Sequence, residues 1–334
     1  MFLNLSKNEW ELITKNSPEI FHRFQWQIFQ EKLKNKVFQF KTDVCFGIAI
    51  EKKIKFIKYL YLPRSPYFFD FDERKTIDFF NELKSFAQKQ NYFYLKIEPV
   101  FLNNELEKTI LPLVFKNFIK ILPHQPQQTI IVKTNNLEEA WKNLHSGRKY
   151  SIKKAKESNL KILKIDINHP EFEKYLKIFY QIHKETSKRG KFPIYSLDYF
   201  LNLSQCYDES LFWPRIYLAQ FQQNFIAGDF FVFTPQRAFY LFAGFDKKFS
   251  SLQAPSLLIW EAIEDCFNFK IPELDLWGYF PEEKKRANFS KFKEEFGGQI
   301  VKYPGTFAWS YYKNLFIFFN QLKYLYLKIR NFVL

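Results

Sequence analysis

Alternating apolar and polar positions divide the chain into two stretches that carry the same order of elements. In the first, runs around Cys45–Ile50 and Phe56–Leu62 follow the two-residue period of strands. A loop with Pro63 and Pro66 comes next, then a helical stretch from about Lys75 to Lys89 and a short strand, Tyr92–Ile97, ending at Glu98. In the second, Ile216–Phe221, Ile226–Phe233 and Ala238–Ala243 read as a meander. A loop, a helix over Ser256–Phe269 and a strand over Leu274–Trp277 follow it. The spans Tyr61 to Glu98 and Tyr240 to Asp275 are alike, so the pattern predicts a duplicated α/β unit.

Between the two lies a hinge over Asn135–Ser146. Asn135 or Asn136 is placed to cap a helix with Glu138 and Glu139 in its first turn and Leu137, Trp141 and Leu144 on one face. Ser146-Gly147 interrupts it. A second helix, Arg148–Glu157, then puts Lys149, Lys153 and Lys156 on one stripe and Ile152 with Ala155 on the other. A solvated basic face is the plain explanation of that stripe, and an anion-binding face the functional one.

Composition narrows the partners. Hydrophobic residues at 47% and charged residues at 25% fit a folded chain, and 334 residues suffice for one large or two ordinary domains. A formal charge of +15 attracts polyanions: nucleic acid, anionic lipid or nucleotide-linked substrates. Part of this bias, with 43 phenylalanines, is what an AT-rich genome produces. Cys45, Cys206 and Cys266 are far apart, and the five histidines lack HExxH or HxH spacing, so neither a disulfide framework nor a metal site is expected. The N-terminal residues lack the apolar core of a signal peptide, which favours a cytoplasmic location. The C-terminal segment is aromatic and carries Lys313, Lys323, Lys328 and Arg330; its uncharged run, Asn314 to Leu322, is far below the ~20 residues that span a bilayer. It reads as a helix packed on the protein body or as an interfacial helix at the inner face of the cell membrane.

Several blocks, taken in order, carry a family resemblance. They are FQWQIFQEKL (24–33), YLPRSPYF (61–68), LKIEP (95–99), QPQQT (125–129), AWKNLHSGRKYSIKKAKE (140–157), YLFAGFDKKFSSLQAPSLLIWEAI (240–263), LDLWGYF (274–280) and KFKEEFGGQIVKYPG (291–305). In these the sequence resembles the FemABX family of peptidoglycan bridge aminoacyltransferases. The resemblance implies an α/β (α+β) fold of two tandem GNAT-like acyltransferase domains. The first would comprise residues 1–137 with 306–334, and the second residues 138–305. Lys164–Tyr199 is too short for the coiled-coil arm of some relatives, so a compact form is expected, and separately a monomer. The resemblance further implies aminoacyl-tRNA as co-substrate, no cofactor, and a lipid-linked or UDP-linked muramyl pentapeptide as acceptor, held in a cleft between the domains.

The implied reaction is aminolysis of an ester by an amine on the third residue of the stem peptide. An amine of pKa ~10.4 must first lose a proton, and attack builds charge on the carbonyl oxygen. By resemblance, Lys293 with Phe292 is the candidate for oxyanion or leaving-group stabilisation, and Glu98 the candidate general base. Tyr199 matches a position that contacts the acceptor. Tyr195 stands where relatives place a phosphate-binding Arg, with Lys191 or Arg189 as substitutes. Gln30 stands near a phosphate-binding Lys, with Lys32 two residues on, and Arg64 is a further candidate. For the tRNA end the basic candidates are Arg148, Lys149, Lys153 and Lys156, with Lys247 and Lys248. The stretch DKKFSSLQAPSLL has no glycine and so lacks the phosphate cradle of acyl-CoA enzymes. Two other readings remain: an N-acyltransferase of the same fold using another donor and a non-wall amine, and a non-catalytic basic protein on RNA or membrane.

Overall fold

The computed structural model describes residues 2–333, with side chains through residue 325. The chain divides into two compact units: residues 1–127 with 303–334, and residues 128–302.

The first unit begins with β1 (Phe2–Leu3), α1 (Lys7–Thr14), α2 (Phe24–Lys32), β2 (Val37–Lys41), β3 (Cys45–Ile54) and β4 (Ile57–Leu62). After β5 (Tyr67–Phe68) come α3 (Glu73–Lys89), β6 (Tyr94–Ile97), β7 (Val100–Phe101), α4 (Asn104–Val114) and β8 (Ile119–Ile121). Side-chain caps fix the helix starts: Asp72 accepts from the Lys75 N–H, and Asn103 from those of Glu105 and Leu106. Because α3 is the crossover, β4 and β6 lie parallel, with Tyr59 opposite Tyr94 and Tyr61 opposite Lys96. Strand alternation then sends Leu60, Leu62, Leu95 and Ile97 to one face, where Phe79, Phe80 and Leu83 of α3 meet them. Tyr59, Tyr61 and Tyr94 take the other face.

The second unit runs β9 (Gln128–Lys133), α5 (Leu137–Asn143), α6 (Ser146–Glu157), β10 (Lys161–Ile165), α7 (Phe172–Gly190), α8 (Leu197–Ser204), β11 (Trp213–Phe221), β12 (Asn224–Phe233) and β13 (Ala238–Phe245). It ends with α9 (Ala254–Asn268), β14 (Glu273–Asp275), α10 (Ala287–Glu294) and β15 (Gln299–Lys302). The seven strands are ordered β10-β11-β12-β13-β14-β9-β15. Helix α9 is the crossover here, and β13 and β14 are parallel. Under α9 and α6 lie Tyr217, Phe231, Phe233, Tyr240 and Leu274, with Ile152 and Ala155. On the opposite face Phe179 of α7 and Phe200 of α8 meet Phe230 edge to face or tilted. The 19-residue α7 lies within Lys164–Tyr199, the segment considered for an arm.

The units part ten and three residues before the boundaries expected at 137 and 305. The reason is β9, which pairs antiparallel with both β14 and β15 and so belongs to the second sheet. The chain then returns to the first unit as β16 (Thr306–Trp309) and α11 (Lys313–Val333). β16 slots between β6 and β8, giving the order β1-β2-β3-β4-β6-β16-β8. Phe316 of α11 packs 5.0 Å from the Tyr94 ring. Among the described residues no helix is long and apolar enough to cross a membrane. Lys328 and Arg330 lie outside the described side chains.

Candidate active site

In the second unit the parallel pairing of β13 and β14 is confined to Ala238 opposite Leu274 and Phe239 opposite Asp275. Beyond it the chain turns away, because Trp277 takes a left-handed φ of 57°. The Asp275 carboxylate fixes this turn by accepting the Trp277 N–H at 2.7 Å and the Thr129 hydroxyl. Ligand-handling groups in parallel α/β sheets gather beyond such strand ends.

Lys293 reaches this place from α10. Its Nζ donates to the carbonyls of Trp277 (3.0 Å) and Gly278 (2.8 Å) and lies 4.2 Å from the centre of the Phe289 ring. The residue is only 2% exposed. Burial pulls its pKa down to about 7, with Asp275 acting in the opposite sense. A lysine held there can carry or release a proton near neutrality.

Arg148 anchors the helix that carries Lys293. Expected among the basic residues for the tRNA end, it is instead buried: it donates to Ser256 Oγ on α9 and to Glu295 at 2.7 Å, and stacks 4.1 Å from the Phe292 ring centre. Its charge is spent inside the unit, which removes it from the candidates for phosphate contact. Phe292 is thus the platform for Arg148. The Gly297-Gly298 turn is demanded by space as well as φ: a Cβ on Gly297 (φ 72°) would lie 2.1 Å from the Asn143 carbonyl oxygen. Of the remaining candidates for the tRNA end, Lys149 donates to the Lys142 carbonyl and Lys156 pairs with Glu264, whereas Lys153, Lys247 and Lys248 are exposed.

Tyr195 and Tyr199 come together as a stacked pair, ring centres 3.9 Å apart and 11° from parallel, both edge-on to Phe242. Arg189 donates to the Phe245 carbonyl and covers its ring, and Lys191 ends α7 in a left-handed, exposed conformation.

The first-unit candidates separate. Glu98 is buried and accepts from the Tyr61 hydroxyl (2.6 Å), the Thr306 hydroxyl (3.0 Å) and the backbone N–H groups of His124 and Gln125 (3.1 Å each). Burial would raise its pKa, but Arg64, the Tyr61 hydroxyl, the Gln125 N–H and the charge of Lys96 hold it below the usual carboxylate range. A carboxylate so satisfied is a weak base, and the general-base role gives way to a structural one. Arg64, also buried, lies 3.3 Å over the Tyr303 ring centre and donates to the Pro126 carbonyl. Gln30 is buried and accepts from Lys52 at 3.0 Å; Lys32 is exposed.

Sequence reasoning missed Lys52, Lys96 and Asp229. Lys96 and Asp229 are charged residues inside apolar strands, YLKI and IAGDFFVF, and that interruption was the available signal. Asp229 is buried, its Oδ2 has no hydrogen-bond partner among the described residues, and burial pushes its pKa well up. Among the described residues no cluster of His, Cys, Asp or Glu is arranged to hold a metal ion.

The fold is that of tandem GNAT-like proteins. A crystal structure of FemX superposes with a TM-score of 0.78 over 96% of this chain and all of that one, at 13% identity. A tandem GNAT protein from the clavulanic acid biosynthesis pathway superposes at 0.58 over 93% and 98%, at 8% identity. The aminoacyltransferase FemA of Staphylococcus epidermidis is 20% identical over 357 aligned residues, covering 81% of this chain and 84% of the relative. The model of the FemAB family matches residues 120–224 and 216–324, which together exceed half the chain. The chain therefore belongs to the FemAB family and is a transferase of the aminoacyltransferase kind.

Proposed function

We propose that the protein moves an aminoacyl group from aminoacyl-tRNA to the amine of the third stem-peptide residue of a peptidoglycan precursor. The observation that carries this reading is the buried amine of Lys293, fixed by two carbonyls at the carboxyl end of β14. An ammonium has three N–H donors, and these carbonyls take two. The third is free to stabilise negative charge on the attacked carbonyl oxygen, or to protonate the departing ribose oxygen. The new bond joins the acceptor nitrogen to the acyl carbon while the ester C–O bond breaks. The nitrogen gives up one proton and the ribose oxygen gains one. A pKa of about 7 suits Lys293 to that exchange.

Acyl-CoA is the less favoured donor. Helix α9 opens with Pro255, which has no N–H to offer a phosphate, and Arg148 already occupies the Ser256 hydroxyl. On this reading Tyr195 and Tyr199 contact the acceptor, and Lys153, Lys247 and Lys248 meet the tRNA end. The test is incubation with charged tRNA and either lipid-linked or UDP-linked muramyl pentapeptide, followed by mass spectrometry. The acceptor should gain one aminoacyl mass, and Lys293→Met should abolish the gain while acceptor binding survives. Retained turnover in that variant would remove Lys293 from the chemistry.

A further inference from the structure

The face of the first sheet opposite α3 gathers lysines around the carboxylate of Glu98. Lys52 lies opposite Tyr59, Tyr61 opposite Lys96, and Lys96 opposite Ala308, so all share one face. Lys96 is 5% exposed, its amine 5.4 Å from the centre of the Tyr61 ring. His124 packs edge-on against the same ring at 5.0 Å. α11 covers this face through Phe316 and Phe319, and Lys323 follows Phe319 by four residues on the same side of the helix. The positive fields of Lys96, Lys52 and Lys323 all bear on His124, and burial lowers the pKa of each of the three lysines. None of the three forms an ion pair among the described residues. The nearby carboxylate of Glu98, which accepts from four donors, offsets part of the Lys96 charge. Lys96 is buried and Lys52 and Lys323 are half-buried, with Lys52 bonded to the neutral Gln30. Gathering like charges in this way is costly unless an anion completes the site.

The outer side of α11 supplies the second observation. Leu315, Phe318, Leu322 and Leu325, spaced three and four residues apart, are each at least half exposed and form one apolar stripe beside Lys323.

We propose that Lys52, Lys96 and Lys323 form a binding site for the phosphate of a membrane lipid, with the α11 stripe seated among its hydrocarbon chains. The inference rests on the acceptor reading above and deepens it by naming the lipid-linked form. Cations grip the phosphate, and the stripe confines the site to a bilayer surface.

Two measurements test this, neither requiring tRNA or transfer, so their failure is separate from failure of the aminoacyl reading. Calorimetry with inorganic pyrophosphate should register binding by the full chain. It should weaken at least tenfold in Lys52→Gln/Lys323→Gln and stay unchanged in Phe318→Ser/Leu322→Ser. Flotation with vesicles of phosphatidylcholine containing phosphatidic acid should recover the wild type and lose both double variants. Equal pyrophosphate binding in Lys52→Gln/Lys323→Gln overturns the phosphate site. Flotation that survives Phe318→Ser/Leu322→Ser overturns the lipid assignment, and circular dichroism confirms that each variant is folded.

Discussion

The guanidinium of Arg148 lies 4.1 Å from the Phe292 ring centre, and the residue next to Phe292 is Lys293. This stack, with the Arg148 bonds to Glu295 and Ser256, sets where α10 sits and hence where the Lys293 amine points. Arg148→Lys keeps the charge and loses the planar fork. Transfer should fall at least about tenfold without a change in the salt dependence of tRNA use. A change in the salt slope alone would return Arg148 to the phosphate-binding group.

Lys153 with Lys247 should behave in the opposite way. Removing both ought to flatten the slope of log affinity against log salt by about 0.7 per lost phosphate contact, with kcat preserved. Filter binding of charged tRNA across a salt series checks this; an unaltered slope places the tRNA end elsewhere.

For Lys293 the pKa of about 7 lies below the unfolded value of ~10.4. Below pH 7 both states hold the proton, and the native state carries the full cost of a buried charge. From there to the unfolded pKa the native state sheds its proton first, so this group makes the fold more stable as pH rises. The Tm advantage of Lys293→Met over wild type should therefore shrink between pH 6 and pH 9.5. A difference independent of pH would mean that the amine is not held in a desolvated place.

Asp229 predicts the reverse slope. Its carboxyl is pushed well above the ordinary value, so above the unfolded pKa the native state keeps a proton that the unfolded chain has lost. Wild-type stability should drop with rising pH through that window, and Asp229→Asn should abolish the drop. Urea midpoints at pH 4 and pH 7.5 are decisive; parallel changes in both proteins would show an ionised Asp229.

Glu98→Ala should cost roughly 3–5 kcal/mol, because four donors lose a buried charged acceptor. Glu98→Gln should retain kcat within about threefold in the folded protein. A loss of several hundredfold would restore its standing as the general base.

The duplicated order of elements was legible because each core strand alternates cleanly and each crossover helix has a strong apolar face. The first strand of the N-terminal unit, two residues long, and β16, four residues long, were not. Segments so short have no period of their own and exist only through pairing with distant strands. Arg148 shows a different failure. It stands four residues before Ile152 and seven before Ala155, on the apolar stripe of α6, but was grouped with the lysines by charge. Lys96 left one signal, a charge interrupting a strand buried on both faces, with no alternation of polar positions to set it off.

The placement of β16 governs how the protein can be made. Until residues 306–309 leave the ribosome, β6 and β8 present two bare hydrogen-bonding edges with nothing between them. The second unit, by contrast, is encoded without interruption and can finish earlier. The unit synthesised first is thus the unit completed last, and a chain that ends after β8 but before Thr306 leaves those edges open to pairing with other chains.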